Sequence, residues 1–417
     1  MDNQRTDGYG PKVLLVGYSG ANNTGAEALL LADIEDMRAV FGPEVRITIP
    51  TINPANLRRY VQEGPDLRIA SMPTIFFAAL RRFIKENDLV FLVEGSTYMD
   101  TWTSFILWAY LWATYCAHDM GKPCMAYAVD AGEIKSSLNR RLVRSEASKT
   151  DLIITRAQAA AERLRNWGVT APIKVTADNA FTYVPDPADA GLFDRLWPEA
   201  GNRVVGLALV DFYLFPVVMR LWGPKEDCYR WPYYYSLPPD ERRASDELAG
   251  SYAALADHLA RDHGVAVALI CMEELDERIA RKVLARMDCA SQARIFSSRE
   301  YNASKMTSIL RGLDFLVTSR YHACVLSMAA QVPQIAVGHD LRLKSIYAEL
   351  ELQDLFVDAH LPSRDAQLRA NLDRVLADPE PVRAALRRGY EEHLAKARSN
   401  RQLLREFAQA QSGKVMA

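Results

Sequence analysis

Two arginines in this chain stand in the same local setting. Arg156 ends the apolar run DLIIT and precedes the helical segment AQAAAERLRNWG; Arg320 ends LDFLVTS and precedes Tyr321, His322 and the segment ACVLSMAAQ. Each sits where a parallel strand hands over to a helix. There, unpaired backbone N–H groups and the helix dipole favour an anion, and a guanidinium adds a rigid fork that matches phosphate or carboxylate. Two such forks from opposite domains would clamp a small polyanion. His322 shares the second loop, two residues beyond Arg320. An imidazole titrates near neutrality, and beside a bound phosphate its cationic form is a proton donor. A lone histidine is more often structural, but the Ser-Arg-Tyr-His run at a strand end favours chemistry.

Other polar residues fall at strand ends too. The loop GYSGANNTGAEA (Gly17–Ala28) follows the first strand and is neither GxGxxG nor a P-loop. Its Gly20, Asn22, Asn23 and Gly25 permit close backbone approach to a ligand, and equally fit a tight strand–helix turn. Glu94 and Ser96 follow the strand LVFLV and offer a carboxylate and a hydroxyl to a sugar. Glu27 is a second carboxylate that could accept a proton from a hydroxyl. Asp178 in TADNAF and Lys344 in HDLRLKSI fit a cap or an ion pair; for Lys344 the more useful expectation is anion binding. There is no HExxH, EF-hand, GxSxG or CxxC spacing, so no metal and no cofactor are expected.

These residues need elements to hold them. KVLLVG, Val45–Ile49, Leu89–Val93, Met125–Val129 and Leu152–Thr155 read as strands alternating with helices, the pattern of a parallel sheet covered on both faces. Residues 184–202 hold three prolines and two glycines and read as a linker. The alternation resumes at Val204–Val210, Val265–Ile270, Phe315–Thr318 and Gln334–Val337. The spacing thus predicts two α/β domains, 1–187 and 203–377, joined by 188–202, with 378–417 as a charged surface helix. In such sheets ligands bind at the carboxyl ends of the strands, which makes the interdomain cleft the expected site.

The 417 residues are 49% hydrophobic and 24% charged with a net charge of −2, the balance of a folded protein without the basic surface that nucleic acid requires. Six scattered cysteines fit a reducing compartment. The N-terminus is polar and lacks a signal-peptide core. Two stretches are aromatic-rich. Thr101–Ala117 has no charge and includes Trp102, Trp108 and Trp112; it fits a buried helix better than a membrane contact. Phe212–Tyr235 holds nine aromatics in 24 residues, suited either to stacking on sugar and apolar chains or to a small core of its own.

Taken in order, GYSGANNTGAEALL, the block from KPCMAYAVDAGEIK to RAQAAAERLRNWGV, TADNAF, SRYHACVLSMAAQVPQIAV and HDLRLKSI resemble the polysaccharide pyruvyl transferases. The resemblance implies two Rossmann-like domains facing across a cleft, in the GT-B manner. It also implies phosphoenolpyruvate as donor, a saccharide as acceptor, and a donor site on Arg156, Arg320 and His322, with the family's lysine at Lys344. Gly20, Asn22, Asn23, Gly25, Glu94, Ser96 and Asp178 would face the acceptor. Two departures stand out: Gly25-Ala26-Glu27 replaces the family's Gly-Asp-Glu, and Glu94-Gly95-Ser96 replaces its Gly-Gly-Gly. Glu94 could supply the carboxylate that Ala26 lacks. The competing readings are a nucleotide-sugar glycosyltransferase and a non-catalytic glycan binder. A cytoplasmic enzyme touching the inner leaflet is the favoured location.

Overall fold

The computed structural model describes residues 10–101, 103–201, 203–226 and 229–415. The polar stretch before residue 10, Trp102, Asn202 and Cys228 lie outside the described residues.

Seven strands form the first sheet: β1 (Lys12–Val16), β2 (Arg46–Thr51), β3 (Leu67–Ser71), β4 (Leu89–Leu92), β5 (Cys124–Val129), β6 (Leu152–Thr155) and β7 (Ile173–Val175). Their order is β3-β2-β1-β4-β5-β6-β7 and every pairing is parallel. The central strands are buried at nearly every residue, as expected when helices cover both faces. The second sheet contains β8 (Val204–Ala208), β11 (Ala266–Cys271), β12 (Ala293–Ser297), β13 (Phe315–Thr318), β14 (Gln334–Gly338) and β15 (Phe356–Asp358), in the parallel order β12-β11-β8-β13-β14-β15. A separate antiparallel hairpin, β9 (Phe215–Met219) with β10 (Tyr233–Ser236), projects from the loop after β8.

In both sheets the order of strand addition reverses beside the first strand, between β1 and β4 and between β8 and β13. Such switch points open a crevice at the strand ends. The loops after β1, β4, β8 and β13 are therefore placed at the centre of the molecule. The two domains are Rossmann-like and face each other across a cleft, the GT-B arrangement.

The charged C-terminal segment is a helix, as expected, but not a surface one. Glu380–Val415 runs for 36 residues. Leu386 and Ala397 pack into the core of the second domain, whereas Leu404 and Phe407 pack into that of the first. Phe407 meets Phe91 edge-on at 5.9 Å, and Arg401 pairs with Asp36 at 2.7 Å. The helix spans both domains because its few apolar residues fall on one face, diluted by the arginines on the other. The proline-rich segment 184–202 is likewise anchored: Phe193 and Trp197 are buried against Phe296 at 5.5 and 6.0 Å.

The aromatic helix Ser104–Asp119 lies between β4 and β5, with Phe105, Leu107, Tyr110 and Leu111 buried. Among the described residues no helix is long and apolar enough to cross a membrane.

Candidate active site in the interdomain cleft

Arg156 follows β6 and is almost fully buried, its side chain 1% exposed. Its Nε donates to Asp130 at 3.0 Å, and its Nη1 donates to Asp178. Burial works against the guanidinium charge, but the two aspartates overcome it and hold the group firmly cationic. The guanidinium lies 4.7 Å from the ring centre of Tyr321, which belongs to the opposite domain. Nη2 is buried and has no partner within the protein. A buried cationic donor left open in this way is chemically able to pair with an anionic acceptor.

His322 lies in the first turn of the helix Tyr321–Met328, and its ring is packed so tightly on Gly25 that no Cβ would fit there. This contact requires glycine at 25. The His322 Nε2 is 3.6 Å from Asp178 Oδ2 and is itself buried without a hydrogen-bond partner. Burial pushes the Asp178 carboxyl up, but Arg156 and His322 more than reverse this and keep it ionised. Gly95 packs against the Arg156 guanidinium, where a side chain would collide with Nη1. Glu94 beside it is buried and accepts from the backbone N–H groups of Tyr18 and Ser96, each at 3.3 Å. Burial raises its carboxyl above the ordinary value, against the pull of His322 and Arg156.

Arg156, His322, Asp178, Glu94, Ser96 and Gly25 thus converge from both domains. Arg320 has a different environment. Its Nε and Nη2 donate to Asp276, with Nε at 2.9 Å, and its Nη1 donates to Glu273 at 2.9 Å. Every nitrogen of this guanidinium already meets a carboxylate.

The loop after β1 serves mainly to join the domains. Asn22 and Asn23 donate to Glu274 and Glu273, each at 3.4 Å, and Ser298 Oγ donates to the Asn22 carbonyl at 2.7 Å. The Thr24 N–H reaches the Met272 carbonyl at 2.9 Å. Gly20 turns the loop at φ +78°, with its N–H on the Tyr60 hydroxyl. Glu27, expected beside the acceptor, instead caps the opposite domain's helix Ala303–Arg311 by accepting from the Ala303 N–H at 2.8 Å. Burial pushes its carboxyl up to about 8, against the opposing effect of Arg59.

Lys344 is exposed on the helix Leu341–Glu349 and does not line the cleft. Its neighbour Arg342 does, paired with Asp340 at 2.9 Å. The spacing of HDLRLKSI explains the difference: the helix points residue 342 inward and residue 344 outward. The sequence reading also missed Asp130, Tyr321 and His393. Asp130 directly follows β5, a strand-end signal that was available. His393 gave no signal, because it arrives on the long C-terminal helix; it stacks on Phe181 at 4.8 Å, and burial lowers it to about 4.

The cleft encloses about 540 Å³ and is lined by both domains, including Arg156, Arg163, Arg320, Arg342, Tyr321 and Asp130. That volume suits a small molecule with part of a saccharide. Elsewhere, His258, His263 and Asp373 place ligand atoms within 4.8 Å of one another, a grouping able to hold a metal ion that no sequence motif announced. None of the three lines the cleft.

A family model for polysaccharide pyruvyl transferase matches residues 23–340, about three-quarters of the chain. The chain belongs to this family. No curated protein is similar enough to match this pyruvyl transferase family member. Among solved structures it is similar in fold to HepE of Anabaena in complex with UDP and glucose (14% identity, 96% of this chain and 100% of that one, TM-score 0.59). It is similar also to MnaA of S. aureus with UDP (10%, 96% and 97%, 0.61). A third is the UDP-GlcNAc 2-epimerase of Neisseria meningitidis bound to UDP-GlcNAc (10%, 96% and 100%, 0.58). At these identities the likeness concerns the fold.

Proposed function

We propose that this member of the family transfers the pyruvyl group of phosphoenolpyruvate to two hydroxyls of a saccharide, forming a cyclic ketal and releasing phosphate. The observation that carries the reading is the pair of open, buried nitrogens, Arg156 Nη2 and His322 Nε2, on either side of Asp178 where the two domains meet. They offer a dianionic ligand one fixed cation and one proton donor.

The chemistry follows from the donor. His322 gives a proton to the methylene carbon, and positive charge develops at C2. A saccharide hydroxyl attacks C2, and its proton passes to the Glu94 carboxylate. The C2–O bond to phosphate then breaks, a second hydroxyl closes the ring, and its proton returns to His322 while that from Glu94 leaves with phosphate. Arg156 offsets negative charge on the departing phosphate, a preorganised interaction of the kind that contributes most in many enzymes. A carboxyl raised by burial, as in Glu94, is better matched to proton transfer near neutrality than an ordinary one. Glu94 stands on the loop against Arg156, so it can take the role of the carboxylate absent at Ala26. The donor reaches Arg320 by displacing Glu273 or Asp276. No metal or cofactor enters this scheme.

The nucleotide-sugar alternative draws on the ligands of the similar structures, whose likeness extends to fold only. Phosphate release in D₂O separates the two. With phosphoenolpyruvate and a panel of bacterial glycans, the proposal requires free phosphate and a product whose methyl group carries one deuterium. Nucleoside diphosphate from a nucleotide-sugar, with no phosphate from phosphoenolpyruvate, would sink it.

A further inference from the structure

Among the described residues twelve large hydrophobic side chains are exposed, and five of them fall within residues 215–231: Phe215, Met219, Leu221, Trp222 and Trp231. Single exposed hydrophobics are ordinary, but a cluster of this kind marks a contact surface. Leu221 and Trp222 are adjacent and 73% and 75% exposed.

The hairpin itself is firmly seated. Tyr229 and Tyr235 are buried with Leu275 and Ala21. The Tyr233 hydroxyl donates to the Thr74 carbonyl at 2.9 Å, and its ring lies 5.2 Å from that of Phe105, both in the first domain. The footing spans both domains while the far end stays uncovered. Phe215 and Met219 lie on one face of β9, four residues apart. Phe215 also lines the cleft, so apolar surface leads from the site toward the tip.

Three features select the occupant. Tryptophan, with an apolar ring and a polar N–H, is the residue suited to the boundary between lipid and water. Lys225 is exposed three residues beyond Trp222, and Arg220, also exposed, donates to the Tyr235 carbonyl; such cations attract anionic headgroups. Pro216 and Pro232 remove N–H donors from the ribbon, which disfavours its extension by a partner's strand.

We infer that the hairpin seats the protein on an anionic lipid bilayer, with Leu221, Trp222 and Trp231 in the headgroup layer. The saccharide is then taken while joined to a lipid whose chain follows the apolar face past Met219 and Phe215. The acceptor's identity as a saccharide rests on the proposed function; the bilayer contact does not depend on phosphoenolpyruvate.

Flotation of the full chain with vesicles tests this, using phosphatidylcholine alone and phosphatidylcholine mixed with phosphatidylglycerol. The wild-type protein floats with the anionic vesicles, and its tryptophan emission shifts to the blue. L221S/W222S weakens that association on the order of tenfold or more, because two apolar anchors are lost, with the unfolding temperature and phosphoenolpyruvate binding retained. Three results overturn the inference: no wild-type flotation, equal flotation of the variant, or a lipid-free dimer that the variant dissolves, which would make a second copy the occupant. Donor binding without flotation removes the bilayer role alone; flotation without donor binding removes the donor reading alone.

Discussion

Arg156 and Arg320 are indistinguishable by sequence context, yet the fold gives them different surroundings. Both follow an apolar strand and precede a helix. Arg156 is buried between Asp130 and Asp178, stacks on a ring from the other domain and keeps one nitrogen open. Arg320 is 20% exposed and meets carboxylates at all three nitrogens, one of them Glu273, which also holds Asn23 across the cleft. A strand-end arginine is thus only an opportunity. The acids brought to it by other elements decide whether one nitrogen stays open, as in Arg156, or all are already paired, as in Arg320.

The largest way to break this comparison is to remove each arginine. Arg156→Ala leaves two buried aspartates without their cation and should destabilise the chain on the order of 3–5 kcal/mol. Arg320→Ala also leaves two buried acids, but it removes a side chain that is itself 20% exposed, so water can take its place and the cost should be about 1–3 kcal/mol. Urea denaturation gives both values, and equal losses would erase the distinction.

His322→Gln sharpens it next. Turnover from phosphoenolpyruvate should fall on the order of 10²–10⁴-fold, while stability stays within about 1 kcal/mol of wild type. A fall in stability matched by little change in turnover would recast His322 as packing on Gly25.

Glu27 belongs to the domain-joining side of the comparison. Its carboxyl holds a proton up to about pH 8 in the folded chain, against an ordinary value of 4.5. The resulting stabilisation is complete below pH 4.5 and is lost as pH rises toward 8. Glu27→Gln can still accept from Ala303 and does not ionise. Relative to that variant, the wild-type protein should lose on the order of 1–3 kcal/mol between pH 5 and 8. Parallel pH profiles from urea denaturation would show that Glu27 ionises normally.

The smallest effect is expected at Lys344. It is exposed and outside the cleft, so Lys344→Ala should change stability by less than about 0.5 kcal/mol and leave donor affinity within about twofold; the corresponding change at Arg342, measured by the same titration, should be larger.

The central strands and the two-domain plan were legible because buried parallel strands are continuous apolar runs: Leu152–Thr155 and Phe315–Thr318 match the observed β6 and β13 residue for residue. The edge strands β3, β7, β12 and β15 were not, since each is short or only partly buried and carries a charged residue: Arg68, Lys174, Arg294 or Asp358. Strand-end position pointed to Arg156, Glu94 and His322, which the fold brings together. It could not separate Asn22, Asn23 and Glu27, whose partners Glu274, Glu273 and Ala303 lie some 250 residues or more away. Contacts between domains have no local pattern to read. His393 and the burial of Leu404 and Phe407 were hidden for the same reason.

Calorimetric titration of the wild-type protein and His322→Gln with phosphoenolpyruvate, phosphate and UDP-glucose tests the central claim most directly. The account predicts saturable binding of phosphoenolpyruvate to the wild type, weaker binding of phosphate, weaker phosphoenolpyruvate binding in the variant, and no binding of UDP-glucose. Saturable binding of UDP-glucose without any of phosphoenolpyruvate would contradict it and move the reaction to glycosyl transfer.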